Sequence, residues 1–230
     1  MKKLFFVTTL FLSVGLFAQK AKSKTTKPAI AKEVATAKSN ETIVEITTDF
    51  GVMTARLYNS TPQHRDNFIN LVKKGAYDSL LFHRVINGFM LQGGDPNSKR
   101  ADSTVMLGGG EVPGLPMVPA EFRSNLIHKK GALAAARDGN AEKKSSNCQF
   151  YIVQGKKTDT AQLSPVNNYT KEQKEIYQRI GGTPFLDQNY TVFGEVIIGL
   201  DVIDKIAATP VFSNDRPIKD VRMKIKIINN

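Results

Sequence analysis

The 230-residue chain has no tryptophan, one cysteine (Cys148), three histidines, and no uncharged, mostly apolar run longer than the 14 residues from Leu4 to Phe17. Each shortage excludes something. One cysteine rules out an intramolecular disulfide framework. The histidines stand at 64, 83 and 128 with no H-x-x-H or C-x-x-C spacing, which speaks against a metal site. A 14-residue apolar run is too short for a comfortable membrane span. Gly155-Lys156-Lys157-Thr158 lacks the first glycine and the spacing of a phosphate-binding loop, and no G-x-S-x-G elbow occurs. Cys148 opens the strand-like run Gln149-Phe150-Tyr151-Ile152, where a buried, inert thiol is the expected reading rather than a nucleophile. Nothing here supports covalent, metal or nucleotide chemistry, and no cofactor is expected.

The N-terminus has the form of a targeting signal. Met1-Lys2-Lys3 is a basic start, Leu4 to Phe17 is apolar, and Ala18 is a small residue at which a leader can be cut. Residues 1–18 are therefore expected to be a cleavable signal peptide. No cysteine stands directly after the apolar run, which excludes a lipoprotein anchor, so the expected destination is the periplasm or the medium, with no stable membrane anchor after cleavage. The formal charge of +11 is unevenly spread. Residues 1–40 hold eight lysines against one acid, Glu33, so seven of the eleven excess charges lie there and only four remain for 41–230. Residues 19–40, rich in Lys, Ala, Thr and Ser, read as a disordered basic linker. A basic tail could touch anionic lipid, but a solvated spacer is the plainer reading, and the modestly charged remainder gives no ground for a nucleic-acid partner.

From residue 41 onward the pattern is one of short strands. Ile43 to Thr47 alternates, Asp49-Phe50-Gly51 turns the chain, and Val52 to Tyr58 returns, a hairpin signal. Thr61-Pro62 opens a helix, with Thr as cap, Phe68, Leu71 and Val72 on one face, and Gly75 as stop. Strands are expected at Leu80–Ile86, Phe89–Gln92, Gly131–Arg137, Cys148–Val153, Tyr190–Val196 and Ile218–Ile228, and a second helix at Leu200–Ala207. Residues 96–130 form a long irregular loop whose Gly108-Gly109-Gly110 reads as flexible. Residues 155–183 read as an insertion carrying a polar helix at Lys171–Ile180. His64, in a polar helix start, is expected at the surface. Many short strands with few helices describe an all-β barrel or sandwich with helical caps.

The richest stretch is Phe82-His83-Arg84-Val85-Ile86-Asn87-Gly88-Phe89-Met90-Leu91-Gln92-Gly93-Gly94-Asp95. Polar side chains in strands are costly unless satisfied or used. An always-charged donor, Arg84, and an amide donor, Gln92, beside aromatic surface can bind and polarise an amide without breaking a bond. This stretch resembles the signature of cyclophilin-type peptidyl-prolyl cis-trans isomerases. The likeness continues in order through Gly131-Ala132-Leu133-Ala134-Ala135-Ala136-Arg137, Gln149-Phe150-Tyr151-Ile152, Phe185-Leu186-Asp187 and Val192-Phe193-Gly194-Glu195-Val196, so that it spans about residues 41–229, most of the insertion excepted.

The resemblance implies an all-β fold, a closed eight-stranded antiparallel barrel capped by two α-helices, in one domain over 41–230. It implies isomerisation of Xaa-Pro bonds in proline-containing polypeptides. The sequence carries no signature of oligomeric state, and a monomer is the expectation. Arg84 becomes the expected catalytic residue and Gln92 the carbonyl donor, with His83 as pocket wall. Phe89, Met90, Tyr151, Phe185 and Leu186 would grip the proline ring. Ala136, Arg137 (through its main chain), Gln149 and Tyr190 would also contact substrate. Phe82, Phe150 and Phe193 read as core. Phe185 stands where many members carry Trp, which removes an indole N–H donor. Tyr190 stands where some carry His, Arg137 where eukaryotic members often carry Asn, and Ala135 replaces a Met. A different class of function, a proline-segment binding module or holdase extended by the insertion, is the alternative, and the presence of Arg84 and Gln92 argues against it.

Overall fold

The computed structural model describes residues 41–159, 161, 163 and 167–229. The expected signal (1–18) and basic linker (19–40) lie outside the described residues, as does part of the 155–183 insertion. Strands β1 (Ile43–Thr48) and β2 (Gly51–Leu57) form the expected hairpin, with Thr48 paired to Gly51 across the turn. Gly51 has φ +133°, a value that a side chain would oppose. Val44, Ile46, Met53, Ala55 and Leu57 are fully buried, so the period-two pattern was a true record of the inner face.

Helix α1 (Pro62–Lys73) starts and stops where the sequence indicates, but its cap differs. Thr61 is fully buried and its hydroxyl makes no capping bond. The Glu121 carboxylate takes the first-turn N–H groups of Gln63 (3.2 Å) and His64 (3.0 Å) instead. An anion there also answers the positive end of the helix. His64, expected at the surface, is buried for the same reason: Nδ1 lies 2.7 Å from Glu121 Oε2 and Nε2 3.0 Å from Ser145 Oγ.

The chain continues through β3 (Arg84–Ile86), β4 (Met90–Gly93), β5 (Ala132–Ala135), β6 (Phe150–Val153), α2 (Lys171–Arg179), β7 (Val192–Ile198), α3 (Leu200–Ala207) and β8 (Lys224–Asn229). Helix α2 is the polar helix of the insertion, opened by a reciprocal pair: Thr170 Oγ1 accepts from the Gln173 amide, and Gln173 Oε1 from the Thr170 amide. Helix α3 spans the residues expected and buries Val202, Ile203, Ile206 and Ala207. No helix among the described residues is long and apolar enough to cross a membrane.

All eight strands join one antiparallel sheet in the order β3-β4-β6-β5-β7-β2-β1-β8. With three α-helices among the described residues, this is an all-β half-barrel rather than the fully laddered closed barrel expected, since the end strands β3 and β8 do not pair with each other. The segments leading into them do meet: Phe82 N donates to Val221 O (2.9 Å) and Met223 N to Leu80 O (2.9 Å). One face of the sheet buries the main core, where the Phe150 ring meets Phe68 and Tyr77 edge-on at 5.4 Å each and Phe82 at 6.3 Å. The other face carries a smaller apolar cluster built on Met90, Ala134, Tyr151 and Val192. Phe82, Phe150 and Phe193 are core, as expected.

Candidate active site

The site is a row of side chains across the second face. In register, Arg84 lies opposite Gln92, Gln92 opposite Tyr151, Tyr151 opposite Ala134, and Ala134 opposite Val192. Directly paired residues in neighbouring strands point to the same side of the sheet. The β3–β4 turn sets the start of that row: Asn87-Gly88 is the turn pair, Gly88 has φ +76°, and its amide donates to Gln154 Oε1 at 2.5 Å.

This row opens into a hollow of about 110 Å³ lined by Arg84, Phe89, Met90, Gln92, Ala136, Arg137, Tyr151, Leu186 and Tyr190. Nine of the twelve residues named from sequence thus meet in one place. Met90 and Tyr151 are its buried floor, Phe89 and Leu186 half-buried walls, and Tyr190 stands edge-on to Tyr151 with ring centres 6.0 Å apart. The Arg137 guanidinium lies over the Tyr190 ring at 4.6 Å, and Arg137 Nε donates to Asn189 O at 3.0 Å. Its main-chain amide and carbonyl have no hydrogen-bond partner among the described residues. Ala136 beside it has both groups occupied, donating to Gln149 O (3.0 Å) and accepting from Ser146 N (2.9 Å).

Arg84 stands at the pocket mouth with 44% of its side chain exposed. Its Nε lies 3.4 Å from Asp215 Oδ2, also exposed, and no other hydrogen bond holds it among the described residues. An exposed pair of that length contributes little stability, so the two terminal nitrogens remain available to a ligand. Gln92 is held from below. One Nε2 hydrogen is given to Gln149 Oε1 (3.1 Å), and Gln149 Nε2 in turn serves Gly108 O and Gly110 O, both at 2.9 Å. The second Gln92 Nε2 hydrogen is left for the pocket.

Three expected contact residues lie elsewhere. Gln149 is buried beneath Gln92 and faces an adjoining hollow of about 40 Å³. Phe185 is 68% exposed, packs on Phe89 at 5.6 Å, and lines a neighbouring hollow with Lys156, Thr158 and Thr183. His83, expected as pocket wall, is not in the lining: next to the exposed Arg84, it turns into the protein and is buried, with no hydrogen-bond partner for either ring nitrogen among the described residues. Nor is Gly108-Gly109-Gly110 a free loop. The fully buried Asp95 carboxylate accepts from Gly108 N (2.5 Å) and Gly110 N (3.3 Å), pinning the segment from its other side.

Burial pushes the His83 pKa down from 6.5 to about 4, against the pull of Asp95. The unfolded chain therefore binds a proton below pH 6.5 that the native state refuses. Stability from this group is complete above that pH and is lost as pH falls toward 4. By pH 5 the loss is about 2 kcal/mol. A His83→Phe variant should show a urea stability difference between pH 7.5 and pH 5 smaller by about that amount; an unchanged pH dependence would refute the assignment.

Asp215, Asp95, Glu121, His128 and Asp187 were not singled out from sequence. Asp215 is 131 residues from Arg84 and had no local signal. His128 carried one: a polar residue directly after Ile127 at the foot of a strand, which is costly there unless satisfied. It is satisfied, with Nδ1 2.7 Å from Asp187 Oδ1 and Nε2 3.0 Å from Tyr151 Oη. Among the described residues no group of three or more His, Cys, Asp or Glu could hold a metal ion. Cys148 is buried, and burial raises its thiol pKa to about 11.

Known proteins resemble this chain over most of its length. The family described as "Cyclophilin type peptidyl-prolyl cis-trans isomerase/CLD" matches residues 43–227. A Staphylococcus aureus (strain COL) protein named "Putative peptidyl-prolyl cis-trans isomerase" is 36% identical over 197 residues, 84% of this chain and 93% of that one. A Staphylococcus epidermidis protein of the same name is 37% identical over 200 residues, 86% and 95% of the two chains. The crystal structure of a Cryptosporidium parvum cyclophilin-type isomerase is similar with a TM-score of 0.63 at 25% identity, covering 83% of this chain and 99% of that one. The same isomerase has also been solved in the presence of the dipeptide Ala-Pro, with a TM-score of 0.61 at 25% identity, covering 82% and 99%.

Proposed function

This chain belongs to the cyclophilin-type peptidyl-prolyl cis-trans isomerases, and from that premise we propose that Arg84 drives the isomerisation and that the substrates are exported polypeptides. The prolyl amide resists rotation by roughly 18–20 kcal/mol because its nitrogen lone pair is delocalised into the carbonyl. No bond need break; the catalyst has only to favour the twisted amide. Arg84 donates to the prolyl nitrogen as it pyramidalises. The planar nitrogen is a poor acceptor, so this bond strengthens on twisting, which is selective binding of the transition state. A permanently charged, planar donor suits the task better than a lysine ammonium. Gln92 holds the carbonyl through its remaining Nε2 hydrogen. Phe89, Met90, Tyr151 and Leu186 take the proline ring, and the unpaired main chain of Arg137 takes the peptide backbone as an added strand would.

The observation that carries this reading is the placement of an exposed, loosely held arginine directly across the ladder from Gln92, above an apolar floor. The contacts between the segments ahead of β3 and β8 support a half-barrel closed into a barrel, a rigid mount for such a row. The basic start and apolar run of residues 1–18 support export to the periplasm or medium, with 19–40 as spacer.

Uncatalysed prolyl isomerisation takes roughly tens to hundreds of seconds. Protein lacking residues 1–18 should shorten the slow, proline-limited refolding phase of an exported client. Expressed in full, it should be recovered from periplasm or medium with a shortened N-terminus. An unchanged slow phase would overturn the folding role, and full-length protein retained in the cytosol would overturn export.

A further inference from the structure

We propose that the 155–183 insertion positions the proline pocket, acting on its floor through a buried hydrogen-bond relay from Tyr177 and Tyr169 through Asp187 and His128 to Tyr151. The relay rests on the reading of the pocket as the proline site.

Its links are short and buried throughout. Asp187, directly after the pocket wall Leu186, is 2% exposed. Its Oδ2 accepts from Tyr177 Oη, in helix α2, at 2.5 Å and from Tyr169 Oη at 2.8 Å. The Tyr169 hydroxyl has one proton and also lies 3.0 Å from Pro184 O, so Tyr177 is the firmer of the two donors. Asp187 Oδ1 accepts from the His128 main-chain amide (2.8 Å) and faces His128 Nδ1 (2.7 Å). In a neutral imidazole this places the ring proton on Nδ1 and makes Nε2 the acceptor of the Tyr151 hydroxyl, 3.0 Å away. His128 and Tyr177 are fully buried.

The relay ends on a ring that matters. Tyr151 is the pocket floor, and Tyr190 stands edge-on against it beneath the Arg137 guanidinium. A phenyl ring in that place would fill the same volume and keep its ring contacts with Tyr190 and His128, but would lose the hydrogen bond that tethers it. The hydroxyl ties the floor to His128, and Asp187 fixes His128 only while its own charge is satisfied. Two of the groups that satisfy it come from the insertion. Removing them should loosen the grip on the proline ring in ground and transition state alike, which raises KM and spares kcat.

The test is a double-substitution cycle read on Xaa-Pro peptide turnover. Tyr151→Phe should raise KM about fivefold, the worth of one hydrogen bond, with kcat changed less than twofold. Tyr177→Phe, in the insertion, should raise KM in the same direction, about two- to threefold. In the Tyr151→Phe background the Tyr177→Phe change should then leave KM unmoved, because the tether it supports is gone. A merely structural tyrosine would lower the melting temperature without such a cycle. If Tyr177→Phe does not fold, Tyr169→Phe takes its place. Unchanged KM in the insertion variant, or effects that multiply independently, would overturn the relay alone. Absence of turnover in the unaltered protein would overturn the pocket reading, and the relay with it.

Discussion

Arg84→Ala is expected to lower kcat/KM for an Xaa-Pro peptide by about 100- to 1000-fold, the usual cost of deleting one donor aimed at the reacting group, while the melting temperature stays within about 2 °C. The two halves of that expectation come from different facts. The rate loss follows because no other charged donor stands across the ladder from Gln92 in the lining; Arg137, the other arginine there, is committed to Asn189 O and to the face of Tyr190. The unchanged stability follows because Arg84 is exposed and its ion pair with Asp215 is long, and surface substitutions of this kind stay within about 0.5 kcal/mol. Arg84→Lys should recover little, since an ammonium lacks the planar fork. The comparison needs steady-state kinetics and a thermal melt on the same samples. An Arg84→Ala enzyme within threefold of the unaltered one would end the mechanism.

Phe150→Ala should do the reverse, costing about 3–5 kcal/mol of stability and leaving kcat/KM within about threefold where the variant is folded. Phe150 and Tyr151 are neighbours in β6, so their side chains leave opposite faces of the sheet. The Phe150 ring is 1% exposed and is the hub against which Phe68, Tyr77 and Phe82 meet edge-on. Alanine would leave a cavity that three rings and a sheet cannot collapse around. Urea unfolding should show a lower midpoint with an unchanged slope. A loss below about 1 kcal/mol would mean that this core repacks more freely than its geometry allows.

The contrast explains what could be read from the chain beforehand. Alternation from Ile43 to Thr47, the turn at Asp49-Phe50-Gly51 and the proline after Thr61 are local signals, and each reappears as the element expected. The heart of the site was legible because four of its nine lining residues sit on one such hairpin: Arg84 and Gln92 are eight residues apart and face each other. Long-range electrostatics was not legible. Nothing near Thr61 announces that Glu121 will cap its helix, or that the same carboxylate will bury His64. Nothing near Gly108 announces Asp95 and Gln149, which turn a glycine run into a fixed strut. His83 was misplaced because adjacent residues of an extended chain face opposite ways, so with Arg84 at the pocket His83 turns into the protein.

Cys148 has one more consequence. A thiol with a pKa of about 11 exists as thiolate in roughly one molecule in a few thousand near pH 7.5, and the thiolate is the form that attacks disulfides. Walled in behind β6, it offers no handle to oxidants or to the half-formed cystines of other chains. Under the export proposed above, the isomerase would meet proteins still sorting their disulfides and could hold them by their prolines without becoming bonded to them.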